Sequence, residues 1–473
     1  MFGMYQQGNG IDSDEEFCVM AVDMSKHFTM GQLLKYALPS ICMTIFTSLY
    51  VVVDGLFVSN FAGSRPLATV NLVFPILMIL SSVGFMIGTG GSAIVAKTRG
   101  EGDDVRANRY FSLMVYSALV LGVILTVVGV FAIEPLCVLM GAEGEMVELC
   151  RIYGYLSLIS LPFFMLQNVF QVFFVTAGKP QMGLVVILIA GITNMVLDWL
   201  FIAVLQWGIA GAALGTVAGE ILGGVIPLVY FARKNPSFLR LGKTKFEGRI
   251  LGKACVNGSS EMVANIATSV VAMLFNYQLM RLIGENGVAA YSVIMYVAMV
   301  FGAIFMGFAI GTSPLMSYQY GAKNSHEQQS LFRKSVAFVL VGGVVMFGIA
   351  QASAAPLSWI FVGYDADLYD LTVMAFRMYA FMYIPMGFSV YASALFTAVN
   401  NGLISALISF LRTFVFEAGS VLLLPLVLGT NGIWLATPVA ECAALVFALV
   451  FILIFGRHYG FLPHRAQAPA KCQ

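Results

Sequence analysis

Apolar residues in this chain run in long blocks and do not alternate with a period of two. Blocks of about 20 residues suit helices that cross a bilayer, because the hydrocarbon core is about 30 Å thick and a helix rises 1.5 Å per residue. Twelve such blocks are legible, at roughly 36–61, 67–96, 110–133, 150–176, 181–206 and 209–232, then 252–283, 288–318, 333–354, 370–397, 402–428 and 432–456. Three polar stretches frame them: a tail over 1–35, a basic linker over 233–251 and a second tail over 457–473. The pattern predicts an all-α polytopic membrane protein with two six-helix halves, 36–232 and 252–456. The N-terminal tail is acidic and lacks the basic stretch and cleavage site of a signal peptide, so it reads as mostly disordered, with the first span driving insertion.

Composition agrees with this pattern: 59% of the 473 residues are hydrophobic, 10% are charged, and mean hydropathy is +0.88. A soluble chain carries about 25% charged residues. In lipid every backbone polar group must be satisfied internally, and unbroken blocks of this length favour helices over a barrel. A net charge of +1 without a basic, aromatic-interleaved cluster argues against nucleic acid as a partner. The seven cysteines show no CxxC or CxxH spacing, which leaves no metal or redox motif. Cys137 and Cys150 could share one outer loop, so a disulfide there is a minor option.

Lysine and arginine divide unevenly. The two tails and the loops after spans 2, 4, 6, 8 and 10 hold 20; the remaining loops hold Arg65, Arg151, Arg281 and Arg377, and Arg412 alone lies in the body of a span. The positive-inside rule then puts both termini in the cytoplasm and the chain in the inner (plasma) membrane.

The halves resemble one another at an offset of 221 residues. TSLYVVVDGLFVSNFAG (47–63) aligns with TSVVAMLFNYQLMRLIG (268–284), and FVTAGKP (174–180) with LFTAVNN (395–401). GGSAIVAKTRGEG (90–102) aligns with GTSPLMSYQYGAK (311–323), pairing Gly90 with Gly311 and Gly100 with Gly321. Six spans per repeat is an even number, so both halves enter the membrane the same way round, with a central cavity expected between them.

Four stretches carry a resemblance to a known family: LPSICMTIFTSLYVVVDGLFV in span 1, GTGGSAIVAKTRGEGD after span 2, TAGKPQMG after span 4 and NMVLD in span 5. With the six-plus-six layout, they resemble multidrug and toxic compound extrusion (MATE) transporters over about 36–456. The resemblance implies multidrug efflux, with its link to antibiotic resistance, by secondary antiport of Na+ or H+ against amphipathic, mainly cationic compounds. It implies no cofactor beyond the coupling ion; a monomer in the bilayer is expected.

Six acids fall inside the spans, namely Asp54, Asp198, Glu220, Glu261, Glu417 and Glu441, against the single base Arg412. Most cannot be paired by salt bridges, so they must be protonated, bound to a cation or open to water. Counting 1.5 Å per residue, Asp54 lies about 27 Å along span 1, Asp198 about 26 Å along span 5, and Thr216 about 11 Å from the outer end of span 6. Asn194 is one turn from Asp198 on the same face. These four converge in the outer half of the first repeat, a hard oxygen set suited to Na+ or to a shared proton. The alternative is a hydrogen-bonded polar cluster between helices. The family resemblance also places Asp54, Asn194, Asp198 and Thr216 where its cation site is expected.

Glu220 reads as a neighbour of that site, and Glu261 as an acid seen by a cationic substrate. Glu417 and Glu441 allow a second site unless Arg412 neutralises Glu417. Pro39 either bends span 1 as a hinge or sits harmlessly near a helix start. Gln167, Asn168 and Gln171 in span 4, with Asn276, Tyr277 and Gln278 in span 7, are candidates for the substrate cavity. Two further classes fit the sequence less well. A lipid-linked oligosaccharide flippase would need several cavity bases for pyrophosphate. An integral-membrane enzyme would need a catalytic constellation that the loop histidines His27, His326, His458 and His464 do not supply.

Overall fold

The computed structural model describes residues 22–462 apart from 59, 60, 62, 63 and 141. Among the described residues there are twelve helices long and apolar enough to cross a membrane, and no strand. Spans 1 to 6 are Met30–Phe57, Thr69–Gly100, Asp104–Leu139, Glu145–Thr176, Pro180–Val204 and Gly208–Ala232. Spans 7 to 12 are Gly248–Leu282, Glu285–Gly321, Ser325–Val362, Ala366–Ala398, Gly402–Leu428 and Ala436–Phe455.

Helix ends follow local chemistry. Thr29 starts span 1 with a capping box: its hydroxyl accepts from the Gln32 amide, and the Gln32 side chain accepts from the Thr29 amide. Asp103 and Asn324, 221 residues apart, cap spans 3 and 9 by accepting from the amides of Arg106 and Glu327. Span 12 starts later than its apolar run, because Thr430–Trp434 forms a separate short helix. Pro438 then falls in the first turn of span 12, where its missing N–H costs nothing.

Pro39 lies inside span 1, well past the first turn. Of the two readings of this proline, the one that sets it harmlessly near a helix start does not hold: the Lys35 carbonyl four residues earlier loses its helical donor. Spans 5 and 11 each contain a π-helical stretch, Trp199–Val204 directly after Asp198 and Phe410–Glu417 around Arg412. Such stretches recur at functional positions.

Within the first half, span 4 packs on spans 2, 3 and 6, and span 5 on spans 1 and 6. Within the second, span 10 packs on spans 8, 9, 11 and 12, and span 11 on spans 7 and 12. The halves meet through span 1 on span 8, span 2 on span 7 and span 2 on span 8. Glycines allow close approaches of the backbones. A Cβ on Gly90 would lie 2.0 Å from the Ala254 carbonyl, and one on Gly258 would lie 1.9 Å from that of Met86. Gly100 and Gly321, repeat partners, face each other, each 2.0 Å from a backbone oxygen of the opposing helix by the same measure. These approaches all fall toward the end of the bundle where the described chain starts, at Val22, and ends, at Leu462; this end is the terminal face.

The expected tail over 1–35 is corrected where it is described; residues 1–21 lie outside the described residues. Span 1 begins at Met30, and residues 22–29 are folded onto the bundle with Met24 and Phe28 buried. The linker is also seated: Arg240 and Gly242 donate their amides to Asn108 and Ser112 of span 3. In the C-terminal tail, Phe461 is buried, and 463–473 lie outside the described residues. Cys137 and Cys150 are buried free thiols, so the disulfide considered for them is not formed.

Candidate functional site

In the first half, spans 1, 2, 4, 5 and 6, with Met299 of span 8, enclose a cavity of about 180 Å³ whose polar lining includes Asp54, Asn194, Thr216, Glu220, Gln167, Asn168 and Gln171, with Tyr50 and Tyr153 beside them. None of the described residues lining it is Lys, Arg or His. Asp198 sits directly behind this wall, fully buried. Its carboxyl group neighbours that of Asp54, and Asn194 reaches it from one turn away on span 5. The four residues expected to converge are thus brought together.

Span 6 makes this possible. A Cβ on Gly215 would lie 2.1 Å from Asp198 Oδ1, and one on Gly219 would lie 2.9 Å from the Ala190 carbonyl. One turn further, a Cβ on Gly223 would lie 2.2 Å from Gln167 Oε1. This i, i+4 stripe lets spans 4 and 5 bring polar side chains against the backbone of span 6. Gly191 makes similar room on span 5 for the rings of Phe46 and Tyr50. Neither glycine nor tyrosine stood out in the sequence; the four-residue spacing of glycines beside Thr216 and Glu220 was the available signal.

Glu220 is anchored by Ser160, whose hydroxyl lies 2.6 Å from Glu220 Oε2 and 2.9 Å from the Ser157 carbonyl. The serine has one hydrogen for two acceptors. It can give that hydrogen to an ionised Glu220, or receive one from a protonated Glu220 while bonding Ser157. Asp54 Oδ1, Asn194 Oδ1 and both oxygens of Asp198 are buried and close no direct hydrogen bond of ordinary geometry. Two adjacent carboxylates without a base repel strongly at low dielectric. The donor set is all oxygen, and among the described residues no group of three or more His, Cys, Asp or Glu side chains gathers around one point. This chemistry fits a proton or a hard monovalent cation.

The second half is built differently. Arg412 does not neutralise Glu417, as considered from the sequence. Its Nε and Nη2 both donate to Glu441 Oε1, at 2.7 and 2.6 Å. Glu417 instead accepts from the Thr437 hydroxyl at 2.9 Å. Depth along a span gave no angular information, and rotation about the helix axis decided the partner. Glu261 and Arg412 line a smaller cavity of about 60 Å³ between the halves, with Ser313 and Ser409.

The span 7 cavity candidates are also corrected. Asn276 and Tyr277 are exposed, Tyr277 at 64%, and line neither cavity. Gln278 is buried against span 11, where its amide donates to the Val421 carbonyl at 3.4 Å. The helical face carrying these residues is turned away from both cavities.

Comparison with known proteins agrees with this architecture. The chain is 22% identical over 433 residues to "Multidrug export protein MepA" of Staphylococcus saprophyticus, covering 89% of this chain and 93% of that one. It is 24% identical over 323 residues to the protein of the same name from Staphylococcus haemolyticus, covering 67% and 70%. In fold, it is similar to a crystal structure of MATE in complex with MaL6, with a TM-score of 0.87, 21% identity and coverage of 92% and 98%. It is also similar to an outward-facing multidrug resistance MATE transporter, with a TM-score of 0.86, 22% identity and coverage of 92% and 97%. A family model described as MatE matches residues 39–200 and 262–420, one segment in each repeat and more than half of the chain, and the chain belongs to this family of multi-pass membrane transporters.

Proposed function

We propose that this transporter is a secondary active multidrug efflux antiporter that exchanges Na+ or H+ for amphipathic, mainly cationic compounds by alternating access. One observation carries the reading: Asp54 and Glu220 line one cavity whose described lining holds no base, and Asp198 sits behind that wall beside Asp54. Burying unpaired carboxylates in a membrane is costly, so the cluster needs a positive partner during part of the cycle. A transported ion is such a partner, and its arrival and departure differ between the two faces. The name of the staphylococcal relatives, multidrug export protein, supports the direction and breadth of transport.

In this cycle, the coupling ion enters from the face opposite the termini and is held by Asp54 and Asp198, with Asn194 and Thr216 as supporting oxygens. Neutralising the pair lets spans 1, 5 and 6 repack, and span 1 bends at Pro39, where its backbone ladder is already broken. The six-helix lobes 36–232 and 252–456 then rock apart at the terminal face, and the ion leaves to the cytoplasm. The close glycine contacts there belong to the state open toward the outside. To drive exchange, the ion must favour one conformation by a few kcal/mol. Glu261, in the cavity between the halves, supplies negative charge to a cationic substrate. A single chain in the plasma membrane suffices for this cycle.

The test is efflux from proteoliposomes with Na+ and pH gradients imposed separately, using cationic and anionic dyes of similar size. Cation export driven by one of the gradients is expected. Equal export of both dyes, or export indifferent to both gradients, would contradict the reading.

A further inference from the structure

Aligning the repeats at the 221-residue offset shows what the second half holds where the first half holds its acids. Thr437 and Glu441 stand at the positions of Thr216 and Glu220, with the same four-residue spacing on span 12 as on span 6. Asp54 is replaced by Phe275, fully buried and stacked on Tyr291 at 4.6 Å, and Asp198 by Gly419. Gly191, which in span 5 leaves room for the Tyr50 ring, is replaced by Arg412. Two carboxylates have gone, one remains, a new one stands at Glu417 where the first half has Val196, and a guanidinium has been added beside them.

We infer that Arg412 is a tethered cation. It occupies in the second half the electrostatic place that the coupling ion takes in the first, so only the first half exchanges ions. The inference rests on the reading that Asp54 and Asp198 hold the coupling ion. Its own support is geometric. Both Nε and Nη2 converge on one oxygen of Glu441, whose side chain is 5% exposed, from a guanidinium in the π-helical stretch of span 11. Guanidinium stays charged at any physiological pH, so this cation neither leaves nor titrates during the cycle. Thr437 satisfies Glu417 one helical turn away, so the two acids and their partners form one cluster. Arg412 also lines the cavity that holds Glu261, where its fixed charge opposes a second cation entering beside the substrate. Arg412 is therefore a positioning residue that sets how many ions the transporter handles.

The experiment reads ion-dependent thermal stability of the full-length protein in detergent, because a ligand that binds only the folded state raises Tm. The background carries Asp54→Asn and Asp198→Asn, which remove the first-half site. That background should lose the Tm response to Na+ and the part of the acid response that Asp54 and Asp198 supply, and the variants added to it are read against what Glu220 and the other remaining acids leave. Adding Arg412→Gln should create a response of a few degrees, adding Glu441→Gln should abolish it, and Arg412→Lys should stay like the background. If Arg412→Gln does not fold, Arg412→His replaces it; Na+ should then stabilise at about pH 8, where the imidazole is neutral, and not at about pH 5.5. If the background keeps the wild-type response, the coupling site lies elsewhere and both readings fall. If the background loses that response and neither Arg412 variant gains one, only the tethered-cation inference falls.

Discussion

A methyl group on Gly215 would sit 2.1 Å from Asp198 Oδ1, far inside van der Waals contact, with the Asp198 backbone nitrogen 3.3 Å away. Gly215→Ala must therefore push the Asp198 carboxyl out of line with Asp54 or separate spans 5 and 6. Overpacking of this kind costs about 1–3 kcal/mol, and about 1.4 kcal/mol in ion binding is a tenfold change in affinity. The expected outcome is an ion concentration for half-maximal transport raised about tenfold or more, with the protein still inserted, read from transport against Na+ or proton concentration. Unchanged ion dependence would mean that Asp198 does not need its present position. At this scale the acids were legible in the sequence, because a carboxylate in lipid is expensive enough to stand out. Asn194 and Thr216 followed from depth and helical face. What depth could not give was azimuth: Asn276, Tyr277 and Gln278 face away from both cavities, and Arg412 reaches Glu441 instead of Glu417. Gly215 was hidden because glycine is common in membrane helices and signals nothing until its neighbour is known.

The element that departs most from its expected form is the segment 22–29. It crosses the terminal face as a strap. The Val22 amide donates to the Gly178 carbonyl at 3.1 Å, between spans 4 and 5. Gln319 donates to the Met24 carbonyl at 2.8 Å, and the Phe28 amide to Glu327 at 3.1 Å, on spans 8 and 9. His27 Nδ1 lies 2.5 Å from the same buried carboxylate, and Lys334 donates to the Phe28 carbonyl. The strap thus ties both halves together at the face where the proposed cycle has them part. Closing a cysteine pair at Met24 and Gln319 with a short, cleavable thiol reagent, in a chain cleared of its own cysteines, should stop transport and restore it on cleavage. The same link between Val22 and Gly178, both on the first-half side, should leave most transport intact. Full activity of the linked Met24–Gln319 chain would show that the strap does not restrain the opening. The twelve spans were legible from apolar runs, but their ends were not: span 9 runs over Ser325–Val362, beyond the apolar 333–354. Helices continue past the hydrocarbon into polar sequence, where caps such as Thr29 and Asn324 decide the end. Met24 and Phe28, two large apolar residues in an otherwise polar stretch, were the signal that the tail is partly folded.

For the whole molecule, the constant offset of 221 between the halves revealed the two-fold design before any contact was known, since it recurs in several spans. The approach of the halves at the terminal face was not legible, because it depends on which glycines meet: Gly90 with Gly258 and Gly100 with Gly321. The proposed orientation, with both termini in the cytoplasm, predicts that cysteine labels at 97–109, 233–253 or 323–334 are shielded from an impermeant reagent outside and that those near 142–148 or 363–369 react. Labelling from outside at 240–249 would reverse the orientation and the direction of ion entry. The central claim is that Asp54 carries a temporary charge, neutralised by the coupling ion while buried and released when water reaches it. Asparagine has nearly the same shape and no charge to release. The most direct measurement is dye efflux by Asp54→Asn in proteoliposomes under imposed Na+ and pH gradients, beside the parent protein at matched insertion. The account predicts that gradient-driven efflux is lost while dye binding in detergent persists; efflux at the parent rate under either gradient would contradict it.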